Sequence, residues 1–456
     1  MDIREQIKEL QSGLISEINE VCSIDSSYDE ATADEASMKP FGQGCRDALD
    51  WMLEKGRSDG FEVHDVDGYA GDIIMGKGEE GLSILGHLDV IPAPKDGWDS
   101  DPFAPEVRDN KLYGRGVSDD KGPLLAAYEA AKLYMRNNPD AEKHIRIIFG
   151  CNEERGSSCV AHYFTKMAPC VQAFTPDAEF PVIYGEKAHA GAVLTSYFGS
   201  DKLISLEGGT VSNAVPASCT AVLKGMDFSY IYAAQAFSAK HPDIPHTIKT
   251  EGNNTVVTVF GRAAHASLPH LGLNAAVGMA YYLSEFMPVP QILFIADKLD
   301  KYYGEDLGIA YEGELGKLTM NLGLISYKDN KLEVTLDFRV PHEIDCDKLL
   351  GLVLKPMAEA HGYETEYRFG KALIADKEGK LVKALDAAYR EVEPYGDGPQ
   401  AIGGGTYAKE ANNCVGFGPA FPGEVTHIHE PNEVMDLASL EKATLIYYKA
   451  IEKLME

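Results

Sequence analysis

The chain has 456 residues, 45% hydrophobic and 25% charged, which is ordinary for a soluble globular protein and too long for a single hydrophobic core. With 42 basic against 71 acidic residues the net charge is −29, a sign that repels phosphate backbones and anionic lipid, so neither nucleic-acid nor membrane partners are expected. No apolar run approaches the roughly 20 residues of a membrane span, and the eight cysteines are scattered without a CxxC pair, so reduced thiols in the cytoplasm are the economical expectation.

The first stretch, "MDIREQIKELQSGLISEINEVC", carries charges throughout, lacks the apolar core of a signal peptide and reads as an amphipathic helix. From about residue 60 to 190, short apolar runs alternate with helical stretches. "GLSIL" leads into "GHLDV"; "GPLLAAYEAAKLYMRN" precedes "HIRIIFG"; "SSCVAHYFTKM" precedes "VQAFTPD". This rhythm predicts an α/β layer with a mostly parallel central sheet, in which function gathers at the carboxyl ends of strands. Near Gly185 the character changes. Alternating strands such as "NTVVTVFG" and "KLEVTLDFRV", with helices such as "GLNAAVGMAYYLSEFM", predict an inserted α+β lobe over residues 187–374. "KLVKALDAAYREV" and "LASLEKATLIYYKAIEKL" then restore the first style, so residues 1–186 and 375–456 are expected to form one domain.

The residues with chemistry follow apolar strands. "LGHLDV" places His87 and Asp89 two apart on strand-like sequence, facing the same way, which suits a metal-binding imidazole with a carboxylate to orient it. A strand-end His beside an incidental Asp is the competing reading. In "LYGRGVSDDKGP", Asp119 and Asp120 directly precede a helix, where Asp also serves as an N-cap. "CNEERGS" adds Glu153 and Glu154, "TPDAEFP" adds Asp177, and "HIHEPNE" adds His429. Adjacent residues on an extended segment point to opposite sides, so Glu153 and Glu154 need not share one task. Singly each is more often a solvated surface residue. Together they form an O/N donor set without thiolate, which suits zinc or another borderline divalent ion, in number enough for two ions sharing one carboxylate.

The run "LGHLDVIPAPKDGWDSDPFAPEVRDNKLYGRGVSDDKGP" closely resembles the co-catalytic zinc metallopeptidase family of dipeptidases, carnosinases, desuccinylases and acetylornithine deacetylases. "CNEERGS", "TPDAEFP", "GRAAHASLP", "IGGGTYAK" and "IHEPNE" follow in the family's order, and the resemblance is strongest to its dipeptidase V branch. It implies a zinc-aminopeptidase-like catalytic domain interrupted by an enlarged, ferredoxin-like lid. It implies two Zn ions per subunit, with Mn or Co as substitutes. His87 and Asp177 would hold one ion, Glu154 and His429 the other, and Asp119 would bridge them. Asp89 would tune His87, and Glu153 would be the general base. His427 is a rival ligand two residues before His429, which alone occupies the His of the family's HxxNE pattern. His265 would polarise the scissile carbonyl with Asn213 nearby, while Arg339 and the backbone of Gly403, Gly404, Gly405 and Thr406 would anchor a substrate carboxylate.

The implied activity is hydrolysis of dipeptides or very short peptides with a free C-terminal carboxylate. An N-acyl amino-acid amidohydrolase is the nearest alternative, and a non-catalytic binding protein of the same fold is the other. The enlarged lobe implies that His265 acts within its own chain, which allows a monomer; a homodimer through another surface stays open.

Overall fold

The computed structural model describes residues 2–456, and the chain divides into two compact units. The first runs through Gly185 and takes up Ile374–Gln400 and Thr406–Glu456; the second comprises Glu186–Leu373 together with Ala401–Gly405. Among the described residues no helix is long and apolar enough to cross a membrane.

The first unit opens with α1 (Ile3–Cys22) and α2 (Gln43–Ser58), then the strands β1 (Glu62–Val66), β2 (Ala70–Met75) and β3 (Glu79–His87). Two short strands, β4 (Glu106–Arg108) and β5 (Lys111–Tyr113), precede α3 (Lys121–Asn137), β6 (Lys143–Gly150), α4 (Ser158–Lys166) and β7 (Ala173–Thr175). After the second unit come α5 (Lys380–Arg390), β8 (Cys414–Gly416), β9 (Val434–Asp436) and α6 (Leu437–Met455).

The main sheet runs β1-β2-β6-β3-β7-β8 before its remaining strands. It is mixed rather than mostly parallel. Parallel pairing holds for β6 with β3, β3 with β7, and β7 with β8. β1 and β2 pair antiparallel, and so do β2 and β6. The turn between β1 and β2 is too short for a crossover, with Asp67 at φ 55° and Gly68 at φ 73°, so a hairpin is the only connection it allows. The strands that pair in parallel are strongly apolar. "LSIL" of β3 and "RIIF" of β6 are buried throughout, as strands covered on both faces must be.

Helices cover the sheet for identifiable reasons. In α3, "KGPLLAAYEAAKLYMRN", alanine and leucine favour the helix, Pro123 falls in the first turn where its missing N–H costs nothing, and the residues from Lys121 to Ala131 are all buried. Asp436 caps α6, its Oδ1 accepting from the N–H of Ala438 at 2.9 Å and of Ser439 at 3.2 Å. The buried face of α6 carries Tyr447, whose ring packs against Phe174, Phe180 and Phe417. Removing a ring from such a cluster costs about 3–5 kcal/mol.

The second unit is built on an eight-stranded antiparallel sheet in which Lys331–Val340 lies between Thr319–Lys328 and Ala188–Tyr197. Helices Phe228–Lys240, Ala275–Ser284 and Pro290–Lys298 complete its core. Its α+β character is the one the alternating sequence predicts.

Candidate active site

Because β6, β3 and β7 are adjacent and parallel, their carboxyl ends lie side by side at strand spacing of about 4.8 Å. Those ends carry Glu153 and Glu154, His87, and Asp177 respectively, and the long segment after β8 brings His429. Asp119 arrives on the loop between β5 and α3. The result is two triads with a common member: His87, Asp119 and Asp177, and Asp119, Glu154 and His429, each with donor atoms within 4.8 Å of one another. His87 Nε2 is 2.9 Å from Asp119 Oδ1 and 3.7 Å from Asp177 Oδ2. His429 Nε2 is 3.0 Å from Asp119 Oδ2 and 3.1 Å from Glu154 Oε1. His427 is outside both triads, its Nδ1 facing Glu430 at 3.2 Å.

The surroundings set these side chains. His87 Nδ1 lies 2.8 Å from the main-chain oxygen of Asp89, which only accepts, so Nδ1 carries the proton and Nε2 keeps the lone pair a metal ligand needs. The Asp89 carboxylate is farther, 3.6 Å from Nδ1. It accepts instead from the N–H of Glu153 at 3.1 Å and of Glu154 at 3.2 Å. Asp89 thus orients the imbidazole through its backbone and the glutamate pair through its side chain. Glu153 and Glu154 occupy a turn, closed by the Gly156 N–H on the Glu153 carbonyl at 3.0 Å, rather than the extended segment the sequence suggests. Asp120 stands at the N-cap position of α3 but makes no side-chain capping bond; its Oδ2 accepts from the His87 N–H at 3.0 Å.

Charge in this cluster is lopsided. Burial pushes the Glu153 carboxyl up to about 8, with Glu154, Asp119 and Asp89 adding to the rise and His87 opposing it. Burial also holds Asp177 well above the usual carboxylate range, with Asp119 adding to it. For His429 burial acts to lower the pKa, but Asp119 and Glu154 outweigh it and lift the ring to about 10. Packed carboxylates of this number against two imidazoles call for compensating positive charge, and divalent cations supply it while keeping the acids ionised. Donor type, donor spacing and charge therefore all fit a pair of hard or borderline cations.

In the second unit the other predicted residues form one connected patch. The Ala266 N–H donates to the Asn213 carbonyl at 2.8 Å, placing Asn213 beside His265. The Ser267 N–H donates to His265 Nδ1 at 3.2 Å, which leaves the ring proton on Nε2 as a donor. Gly403 sits against Ser267, where a Cβ would lie 2.5 Å from the serine Cβ, so glycine is required there. Arg339 is 6% exposed and spends Nε and Nη2 on Asp337 at 2.8 and 3.1 Å and Nη1 on the Gly403 carbonyl at 3.0 Å. N–H groups on Nη1 and Nη2 remain for a further anion. Gly404 and Gly405 continue this segment, and Thr406, in the first unit, accepts the Ala408 N–H at 3.1 Å.

Two buried acids outside the predicted ligand set belong to the same region: Asp120, which the sequence offered as a helix N-cap, lies behind His87, and Glu433 lies beneath the Asp119 loop. Glu433 stands in the quoted "HEPNE", but a motif letter does not reveal a partner some three hundred residues away.

Residues 84–453 match the model of "Peptidase family M20/M25/M40". A Staphylococcus haemolyticus protein named "Putative dipeptidase SH1171" is 34% identical over 469 residues, covering 99% of both chains. "Putative dipeptidase YtjP" of Bacillus subtilis is 32% identical over 459 residues, covering 97% of both. Among solved structures, human carnosine dipeptidase 1 superposes with a TM-score of 0.60 at 15% identity, over 99% of each chain, which demonstrates the shared fold. The chain therefore belongs to peptidase family M20/M25/M40 and is a hydrolase acting on peptide bonds.

Proposed function

We propose that the protein is a zinc-dependent dipeptidase, and the observation that carries this reading is the pair of triads meeting at Asp119. His87 and Asp177 would hold one ion, Glu154 and His429 the other, with Asp119 between them. Two bound ions would supply Lewis acidity and a water nucleophile active near neutral pH. Glu153, fixed by the Asp89 carboxylate through its own N–H, takes a proton from the attacking water and delivers it to the leaving amine. His265 offers its Nε2–H, and Asn213 its amide, to the oxygen that develops negative charge. Arg339, with the backbone of Gly403 to Thr406, holds the substrate's C-terminal carboxylate, an anchor that a chain of net charge −29 needs for an anionic ligand.

The curated relatives named as dipeptidases support this choice over other peptidase activities. We read the protein as cytoplasmic, and as a monomer in which His265 acts within its own chain. The substrate class is tested with zinc-loaded protein and a panel of dipeptides, β-alanyl and D-residue forms included, alongside N-acyl amino acids. Cleavage of dipeptides bearing a free carboxylate is expected, with loss of turnover when that carboxylate is amidated. Turnover of N-acyl amino acids with intact dipeptides would replace the reading with an amidohydrolase.

A further inference from the structure

The carboxylate of Glu433 is fully buried and lies beneath the loop that carries Asp119. Its Oε1 accepts three backbone N–H groups, from Gly116 at 3.1 Å, Ser118 at 2.9 Å and Asp119 at 3.2 Å. Its Oε2 accepts from Arg115 Nη1 at 2.6 Å. Convergent main-chain donors of this kind form an anion-binding nest, and they do so here because Gly116 adopts φ 89°, a conformation that side-chain-bearing residues avoid. The carboxylate that fills the nest is part of the protein itself.

Further bonds join the same two segments. The Gly114 N–H donates to the Glu433 carbonyl at 3.1 Å, Ser118 Oγ donates to the Val434 carbonyl at 2.8 Å, and β5 pairs with β9 in register Tyr113 to Val434. Neighbouring Asn432 holds a third segment, its Oδ1 accepting the Asp99 N–H at 2.9 Å. One segment ends at Asp119 and the other holds His429 four residues before Glu433. These two are members of one triad, with His429 Nε2 3.0 Å from Asp119 Oδ2.

We propose that Glu433 is the positioning residue that keeps Asp119 in register with His429, and so sets the affinity of the ion held by Asp119, Glu154 and His429. The proposal rests on the metal-centre reading above. Glu433 belongs to neither triad; it acts through the main chain of Asp119. The other triad depends on Asp119 and on the ends of β3 and β7, so it feels the loss of Glu433 less.

The test is titration of metal-free protein with Zn²⁺ against a chromophoric chelator, with circular dichroism and thermal unfolding recorded on each variant. In Glu433→Gln the amide oxygen can still accept N–H groups, but its NH₂ meets the Arg115 guanidinium donor to donor. Wild type is expected to bind two equivalents, and Glu433→Gln to bind one of them about tenfold or more less tightly with the other much less affected, the usual scale for groups that orient ligands. Glu129→Gln, which removes a buried partner of Lys55 and Lys132 elsewhere in the same unit, is the control for general destabilisation and should leave both equivalents unchanged. Glu433→Asp keeps the charge against Arg115 but retracts it by one methylene, and the same selective loss is expected if Glu433→Gln does not fold. A folded Glu433 variant with wild-type affinity for both ions overturns the proposal. So does an equal loss in Glu129→Gln, and so does failure of both Glu433 variants to fold, since each makes Glu433 a folding residue only. Wild-type protein that binds no pair of Zn²⁺ ions overturns the metal reading itself, an outcome seen before any variant is compared.

Discussion

Asp119 stands between two imidazoles, its Oδ1 2.9 Å from His87 Nε2 and its Oδ2 3.0 Å from His429 Nε2. One carboxylate thus joins the end of β3 to a segment more than three hundred residues later.

Glu153 and Glu154 share a turn and a tether to Asp89 but differ in partners: Glu154 faces His429 at 3.1 Å, and among the described residues no such imidazole contact fixes Glu153. Glu153→Gln is therefore expected to lower kcat by about 10²–10⁴ or more while metal content is unchanged. Steady-state kinetics with metal analysis of the same sample checks it. A variant that loses zinc in proportion to activity would reassign Glu153 as a ligand.

The two histidines of "HIH" should separate cleanly. His429→Ala is expected to lose an ion and nearly all turnover, whereas His427→Ala, which gives up only an exposed contact with Glu430, should keep both. Elemental analysis of the purified variants decides between them, and the reverse pattern would move the second triad to His427.

Arg339 keeps its fork only because Asp337 and the Gly403 carbonyl hold it. Arg339→Lys retains the charge but not the bidentate geometry, so KM for dipeptides should rise about tenfold or more with a smaller change in kcat. Unchanged KM would remove Arg339 from carboxylate binding.

A pH effect on stability is expected at a histidine outside both triads. Burial acts to lower the pKa of His64, but Asp72, fully buried and 2.7 Å away, together with Glu62 at 3.2 Å outweighs it and raises the ring above its ordinary value. A raised folded-state pKa stabilises fully below the unfolded value of about 6.5, and the contribution disappears as pH rises through the folded value. Urea midpoints measured across this range should fall more for wild type than for His64→Gln; parallel curves would contradict the assignment.

The parts of this site legible in the sequence are those that local pattern dictates. Apolar runs marked β3, β6 and β7 as buried strands, and acids or histidines just past each run marked their carboxyl ends. Family motifs then supplied an order of roles that the residues alone left open. The antiparallel flank of the sheet, the turn at Glu153 and Glu154, and the true partner of Asp120 depend on loop geometry and three-dimensional neighbours, which residue spacing does not encode. Glu433 was hidden for the same reason: its three N–H partners lie 314 to 317 residues earlier in the chain.

The central claim is that Asp119 joins two metal positions. Crystals grown with Zn²⁺ and measured on both sides of the zinc absorption edge test it most directly. Two anomalous peaks are expected, one among His87, Asp119 and Asp177 and one among Asp119, Glu154 and His429. A single peak, or peaks away from Asp119 in protein that still cleaves dipeptides, would contradict it.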